Sequence, residues 1–389
     1  MRISLTLLLV LILGLLCLGC QYLPIPSQPP TEAPTQAPTS PSTEPPTQPP
    51  TEPPTVSPDP IALQIEAMTA AEKVGQLFLA RYDGAKALSH TTQYHLGGWV
   101  MFSPDFEGET PASITAELEA LQAAADIPLL IAVDEEGGTV TRVSRFSAFR
   151  DSKFASPRSL YKKGGLELVL DTEAEKSDLL SSIGVNVNLA PVCDITTNSN
   201  AFMYSRSLGL SPEETGSVIS DMVAVMAEHG VTAVLKHFPG YGNNADTHVG
   251  IARDSRSLEE LEANDLLPFS MGFQAGCGAV LVSHTIVECL DDTLPASLSP
   301  AVIGYIRSQM NFDGVIVTDD LVMQAITDRY GTAEAAVMGV QAGCDLLCST
   351  EYVPQYEAVL AAVDDGRISQ EVLDTAVYRI LCWKQSMIQ

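Results

Sequence analysis

Eight short, almost purely apolar runs, separated by segments of helical character, constrain this chain more than any other feature. They fall near Gln76–Ala80, Gly97–Phe102, Pro128–Val133, Val185–Val192, Thr232–Leu235, Ala279–Val282, Gly314–Thr318 and Cys344–Leu347. A strand with one face in water alternates apolar and polar residues, whereas a strand covered on both faces does not. Runs such as Ala279-Val280-Leu281-Val282 are of the second kind. Helices are predicted from Thr69, where Thr69-Ala70-Ala71-Glu72 makes a capping box, from about Ala112 to Ala125, and from Glu213 to His229. A buried strand followed by helix, eight times over, predicts an α/β fold built as a single (β/α)8 TIM barrel, which takes roughly 250 residues or more. A doubly wound open sheet is the competing architecture, but no G-x-G-x-x-G loop follows the first strand.

A barrel gathers the residues at the C-terminal ends of its strands on one face, where catalysis occurs in this fold. Those residues here are Asp134 and Glu135 after the third strand, Asp194 after the fourth, and Lys236 and His237 after the fifth. Ser283 and His284 follow the sixth, and Asp319 and Asp320 the seventh. Such a face is polar enough to grip a hydroxyl-rich ligand. His284 reads as a structural group, and Trp99, in the second strand, as core.

The fifth strand empties into Lys236-His237-Phe238-Pro239-Gly240-Tyr241-Gly242, followed by Asp246-Thr247-His248. In Asp-x-His the carboxylate can hold one imidazole nitrogen while the other faces a substrate, which is how a proton donor working near neutrality is built. The chain is therefore expected to be an enzyme.

The N-terminus reads as an address rather than as fold. Arg2 precedes an apolar run from Leu5 to Leu18, too short to span a bilayer, ending at Leu18-Gly19-Cys20. Residues 1–20 resemble a lipoprotein signal in which Cys20 is lipidated and becomes the new N-terminus, although Cys17 stands where such signals carry Leu. The alternative is an ordinary secretory signal. Residues 21–60 form a Pro/Thr-rich linker holding 15 of the chain's 26 prolines. Such a stretch has too little apolar surface to fold. At ~3.1 Å per residue in polyproline II it would reach on the order of 100 Å. The expected location is the extracellular face of the cell membrane, held there by the lipid. Residues 61–389 are the catalytic domain. Once Arg2, Glu32, Glu44, Glu52 and Asp59 are set aside, 44 acids face 20 Lys and Arg, which makes nucleic acid an improbable partner. Beyond Cys17 and Cys20, in the signal-like segment, no CxxC or His-x3-His spacing occurs, so no metal site is expected. Cys193, Cys344 and Cys348 read as small buried residues, and the chain is expected to act as a monomer.

Eight stretches carry a resemblance. They are Glu72-Lys73-Val74-Gly75-Gln76-Leu77, Val133-Asp134-Glu135-Glu136-Gly137-Gly138, Ser205-Arg206-Ser207-Leu208-Gly209 and Leu235-Lys236-His237-Phe238-Pro239-Gly240. Asp246-Thr247-His248, Arg256-Ser257-Leu258-Glu259-Glu260-Leu261, Pro295-Ala296-Ser297-Leu298-Ser299 and the run from Phe312 through Asp319-Asp320 complete the set. In this order the chain resembles glycoside hydrolase family 3, in its β-N-acetylhexosaminidase branch, over nearly all of Ile61 to Gln389. The resemblance implies a retaining exo-β-N-acetylhexosaminidase that removes terminal N-acetylglucosamine from peptidoglycan fragments or chitooligosaccharides. It implies Asp319 as nucleophile, His248 with Asp246 as the acid/base pair, and Asp134, Arg206, Lys236 and His237 as sugar-binding groups. Asp320 is the better candidate for a capping role. No cofactor is implied. A neutral histidine base repels an anionic acceptor less than a carboxylate would, so phosphate is a conceivable rival to water in the second step.

The chain departs from the family pattern at three points. Thr139 stands where Arg usually follows the Gly-Gly pair, with Arg142 as a possible substitute. Tyr241 replaces a common His, and the loop from Gly242 to Asp246 is one residue shorter. The alternatives are another family 3 β-glycosidase, a substrate-assisted hexosaminidase using adjacent acids such as Asp134-Glu135, or a wall-sugar-binding lipoprotein without catalysis.

Overall fold

A computed structural model describes residues 59–242 and 250–387 of the chain. The signal-like segment, Cys20 and nearly all of the Pro-rich linker lie outside the described residues, as do Asp246 and His248.

Among the described residues there are ten strands: β1 (Phe78–Arg81), β2 (Gly98–Met101), β3 (Leu130–Val133), β4 (Val187–Asn188), β5 (Thr232–Phe238), β6 (Arg253–Asp254), β7 (Ala279–Val282), β8 (Ile286–Val287), β9 (Val315–Thr318) and β10 (Leu346–Ser349). Eight of them close into a barrel in the order β1-β10-β9-β7-β5-β4-β3-β2, and β6 and β8 form a two-stranded sheet. Neighbouring barrel strands run parallel, as in Val100↔Ala132 between β2 and β3 and Leu281↔Val317 between β7 and β9. Each apolar run expected from the sequence is one barrel strand. Their side chains are buried on both faces, which is why they lack alternation: every residue of β2, β3, β7, β9 and β10 is buried. Burying a Val, Leu or Ile fully stabilises the fold by about 1.5–3 kcal/mol.

The helices begin where short polar residues can satisfy the free N–H groups of a first turn. Thr69 and Glu72 make the reciprocal capping box expected of them, and Ser211 with Glu214 makes another ahead of the helix Pro212–Glu228. The helix Pro111–Ala124 starts from Thr110 with Pro at its first position. A long helix, Pro157–Ser182, is interrupted at Gly164 and Gly165 and fills the interval between β3 and β4. Trp99 is fully buried, its indole N–H donating to Thr91 at 3.0 Å, so it belongs to the core. All six described cysteines are free thiols; Cys193, Cys277, Cys344 and Cys348 are buried.

Candidate active site

The strand ends hold one another in place before they hold anything else. Asn188, at the end of β4, is buried; its Oδ1 accepts from the Glu135 N–H at 2.9 Å and its amide donates to the Glu135 carbonyl at 3.1 Å. Glu135 spends its carboxylate on the next loop, accepting from the N–H groups of Arg142 (2.7 Å) and Val143 (2.8 Å) and from the Ser144 hydroxyl. Arg158 donates to the Ser207 carbonyl (3.1 Å) and hydroxyl (2.8 Å), which fixes the turn carrying Arg206.

On this frame sits a chain of buried charges. Lys236, at the end of β5, places its ammonium 2.6 Å from Asp134 and 2.7 Å from Glu136. Arg206 grips Glu136 with two parallel bonds, from Nε at 2.9 Å and from Nη2 at 2.7 Å, and the same Nη2 lies 3.0 Å from Nε2 of His237. The far side of that imidazole meets Asp194, with Nδ1 at 2.9 Å from the carboxylate, which also accepts from the Tyr241 N–H at 2.7 Å. Arg142 reaches the other oxygen of Asp134 at 3.2 Å. Burial alone would raise the acids of this chain and lower its cations. For Asp134 that is outweighed by Lys236 and Arg142, for Glu136 by Lys236 and Arg206, and for Asp194 by His237, so all three carboxyls lie below the usual range. Lys236 is raised for the same reason, with Asp134 and Glu136 outweighing its burial.

These groups line one cavity of about 860 Å³. Asp134, Glu136, Arg142, Arg206, Lys236 and His237 form its charged wall; Phe102, Phe202, Tyr241 and Met323 supply apolar surface; Asp319 and Asp320 close it from the end of β9. Cys348 lines the same cavity as Asp134, Asp319 and Asp320, and its thiol is raised by burial and then by the charges of Asp320, Asp319 and Asp134. The two neighbouring aspartates differ. Asp320 accepts from the Val322 N–H (3.3 Å) and from the Thr350 N–H (3.1 Å) and hydroxyl (2.5 Å). It is a tie between the ends of β9 and β10. Asp319 accepts only from the Asp320 N–H, at 2.9 Å, and its second oxygen has no hydrogen-bond partner among the described residues.

The structure therefore brings Asp134, Arg206, Lys236, His237 and Asp319 together, as the sequence led one to expect. Asp246 and His248 lie outside the described residues. His284 is fully buried between the Ser297 hydroxyl (2.7 Å) and the Asp320 carbonyl (3.0 Å), a structural position. Arg142 does reach the site in place of an arginine at position 139, and Thr139 lines the cavity beside it. Tyr241 packs its ring edge-on to His237, with centroids 5.3 Å apart. Glu136 went unremarked from sequence as a functional group. It stands two residues beyond Asp134, and in an extended segment that spacing turns both side chains to the same side. Among the described residues no group of three or more His, Cys, Asp and Glu side chains is arranged to hold a metal ion.

The sequence profile of the glycosyl hydrolase family 3 N terminal domain matches residues 69–382. Beta-hexosaminidase LpqI of Mycobacterium tuberculosis is 31% identical over 330 residues, spanning 82% of this chain and 83% of that protein. A beta-hexosaminidase of Tolumonas auensis is 35% identical over 268 residues, 67% of this chain and 76% of that one. Among solved structures, a glycoside hydrolase family 3 beta-N-acetylglucosaminidase from a Paenibacillus species aligns with a TM-score of 0.78 at 34% identity, covering 83% of this chain and 63% of that chain, just under two thirds of it.

Proposed function

This chain belongs to glycosyl hydrolase family 3, and from that premise we propose that it is a retaining exo-β-N-acetylhexosaminidase acting on terminal, non-reducing N-acetylglucosamine. Its substrates are peptidoglycan fragments or chitooligosaccharides. The observation that carries this reading is the difference between Asp319 and the other acids of the cavity. Asp134 and Glu136 are neutralised by cations and Asp320 is saturated with hydrogen bonds, whereas Asp319 keeps an oxygen without a partner among the described residues. A nucleophile needs that free lone pair.

In the first step an Asp319 oxygen bonds to the anomeric carbon as the bond from that carbon to the leaving oxygen breaks, and His248, held by Asp246, gives the leaving oxygen a proton. In the second, water attacks the same carbon, His248 takes its proton, and the bond to Asp319 breaks. The charged wall binds hydroxyls: ionised Asp134 accepts, Lys236 and Arg206 donate, and bonds to charged groups are about twice as strong as neutral ones. His237 is turned toward the cavity by Asp194. The acetamido methyl suits the apolar surface of Phe102, Phe202 and Met323.

Hydrolysis of aryl glycosides that differ only at the second carbon of the sugar tests the specificity. The N-acetylamino compound should be turned over far faster than the hydroxyl compound; equal rates would contradict the assignment. The Leu18-Gly19-Cys20 pattern supports lipid anchoring of Cys20 on the outer face of the membrane, with residues 21–60 as tether. Fatty-acid labelling that survives Cys20→Ser would contradict that. We also propose that the chain acts as a monomer; a dimer mass in sedimentation would contradict it.

A further inference from the structure

One stretch of the resemblance, Arg256-Ser257-Leu258-Glu259-Glu260-Leu261, does not line the cavity, yet its arginine lies against Gly240 and Gly242, where the chain leaves it. The loop starts after β5 at Pro239 and returns at β6, and Asp246 and His248 fall by sequence between these points. Both attachment points meet the Arg256 guanidinium. Asp254, in β6, receives bonds from its Nε (2.9 Å) and one terminal nitrogen (2.6 Å), and Asp265 receives one from the other terminal nitrogen at 2.5 Å. Both aspartates are buried. The nitrogen that grips Asp254 also donates to the Gly240 carbonyl, on the outgoing side, at 3.3 Å.

Contact on the outgoing side is close. Gly242 has φ +54°, and a Cβ there would stand 2.8 Å from the centre of the guanidinium; Gly240 has φ +113°, and a Cβ there would stand 2.7 Å from Oδ1 of Asp265. That oxygen is buried and has no hydrogen-bond partner among the described residues. Between the two glycines Tyr241 is tied to Asp194, the carboxylate that orients His237. On the return side β6 is stitched to β8, with the Ile286 N–H donating to the Ala252 carbonyl and the Glu288 N–H to the Asp254 carbonyl, both at 2.9 Å. The guanidinium thus joins the outgoing backbone, the returning strand and the start of the helix Leu266–Gln274.

We propose that Arg256, fixed by Asp254 and Asp265, is a positioning residue for acid/base catalysis: one guanidinium sets where the Asp246–His248 loop leaves and re-enters the barrel. The inference rests on His248 being the acid/base. Lysine cannot replace this arginine, because three partners in one plane need a planar fork of donors rather than a point charge.

The test measures kcat/KM of Arg256→Ala and Arg256→Lys on two aryl β-N-acetylglucosaminides, one with a phenyl and one with a 2,4-dinitrophenyl leaving group, beside His248→Ala. A phenolate needs protonation as it departs and a dinitrophenolate does not, so loss of a positioned acid should cost on the order of 100-fold on the first and under about fivefold on the second. A merely structural arginine would lower both rates alike, by the fraction of protein unfolded. Arg256→Lys is read in the same way should Arg256→Ala not fold. Equal losses for the Arg256 variants beside unequal losses for His248→Ala overturn the positioning role alone. Equal losses for all variants overturn the acid/base assignment, and this inference with it.

Discussion

Replacing Lys236 by Met asks what the buried cation is for. Its ammonium lies 2.6 Å from Asp134 and 2.7 Å from Glu136 and is almost wholly shielded from water. Met fills a similar volume but leaves two carboxylates facing each other. Removing one member of a buried ion pair typically destabilises by about 3–5 kcal/mol. Each acid retains another cation, Arg142 for Asp134 and Arg206 for Glu136, so the lower end, about 3 kcal/mol, is expected. At roughly 2 °C per kcal/mol for a domain of this size, Tm should fall by about 6 °C. The pH dependence has a defined sign. Asp134 and Glu136 are acids held below their unfolded values, so their contribution is present above the unfolded pKa, near ~4, and is lost as pH falls through the folded one. The gap between wild type and Lys236→Met in urea unfolding should be widest at neutral pH and narrow as the pH drops from about 5 to about 3. A gap under about 1 kcal/mol, or one flat with pH, would refute the view that Lys236 is the necessary counter-charge.

Two further substitutions test the frame around the site. Lys384 is buried with Gln76 as its hydrogen-bond partner, and burial lowers it to about 7. A base lowered on folding opposes stability below its folded pKa, so Lys384→Met should stabilise by about 1–3 kcal/mol at pH 6. That gain should shrink as pH rises from about 7 through the unfolded value near ~10.4 and vanish above it, where the lysine is neutral in both states; thermal unfolding at pH 6 and at pH ~11.5 reads it. Glu135→Gln removes a charged acceptor of three bonds and should cost about 2 kcal/mol in urea unfolding, with a raised KM because Arg142 loses its anchor. If Glu135 instead assisted the substrate directly, kcat would collapse while stability stayed unchanged.

The barrel was legible because its strands are buried on both faces, which writes each as an unbroken apolar run, and the strand ends stood out as charges where a core should stop. The small β6–β8 sheet was not legible, since two-residue strands have no period to detect. Nor was the split in role among the cavity acids. Asp134, Glu135 and Glu136 are consecutive carboxylates, and only the fold shows that Glu135 turns away to hold the loop at Val143 while its neighbours face Lys236. The pairing of Arg206 with Glu136 joins residues 70 apart in the chain, set by two separate loops. Arg142 could be suspected as a substitute for an arginine at 139, but its reach to Asp134 depends on the turn between them. Asp320 and Asp319 could be sorted in part, because the first acid able to cap the following turn is a poor candidate for attack.

Incubation with a 2-deoxy-2-fluoro or 5-fluoro glycoside, followed by mass spectrometry of the digested protein, measures the central claim directly. A sugar bound covalently to the peptide carrying Asp319, and absent from Asp319→Ala, is the expected result. An enzyme that turns over the natural substrate with retention yet never forms an adduct, or forms one on another carboxylate, would contradict the account.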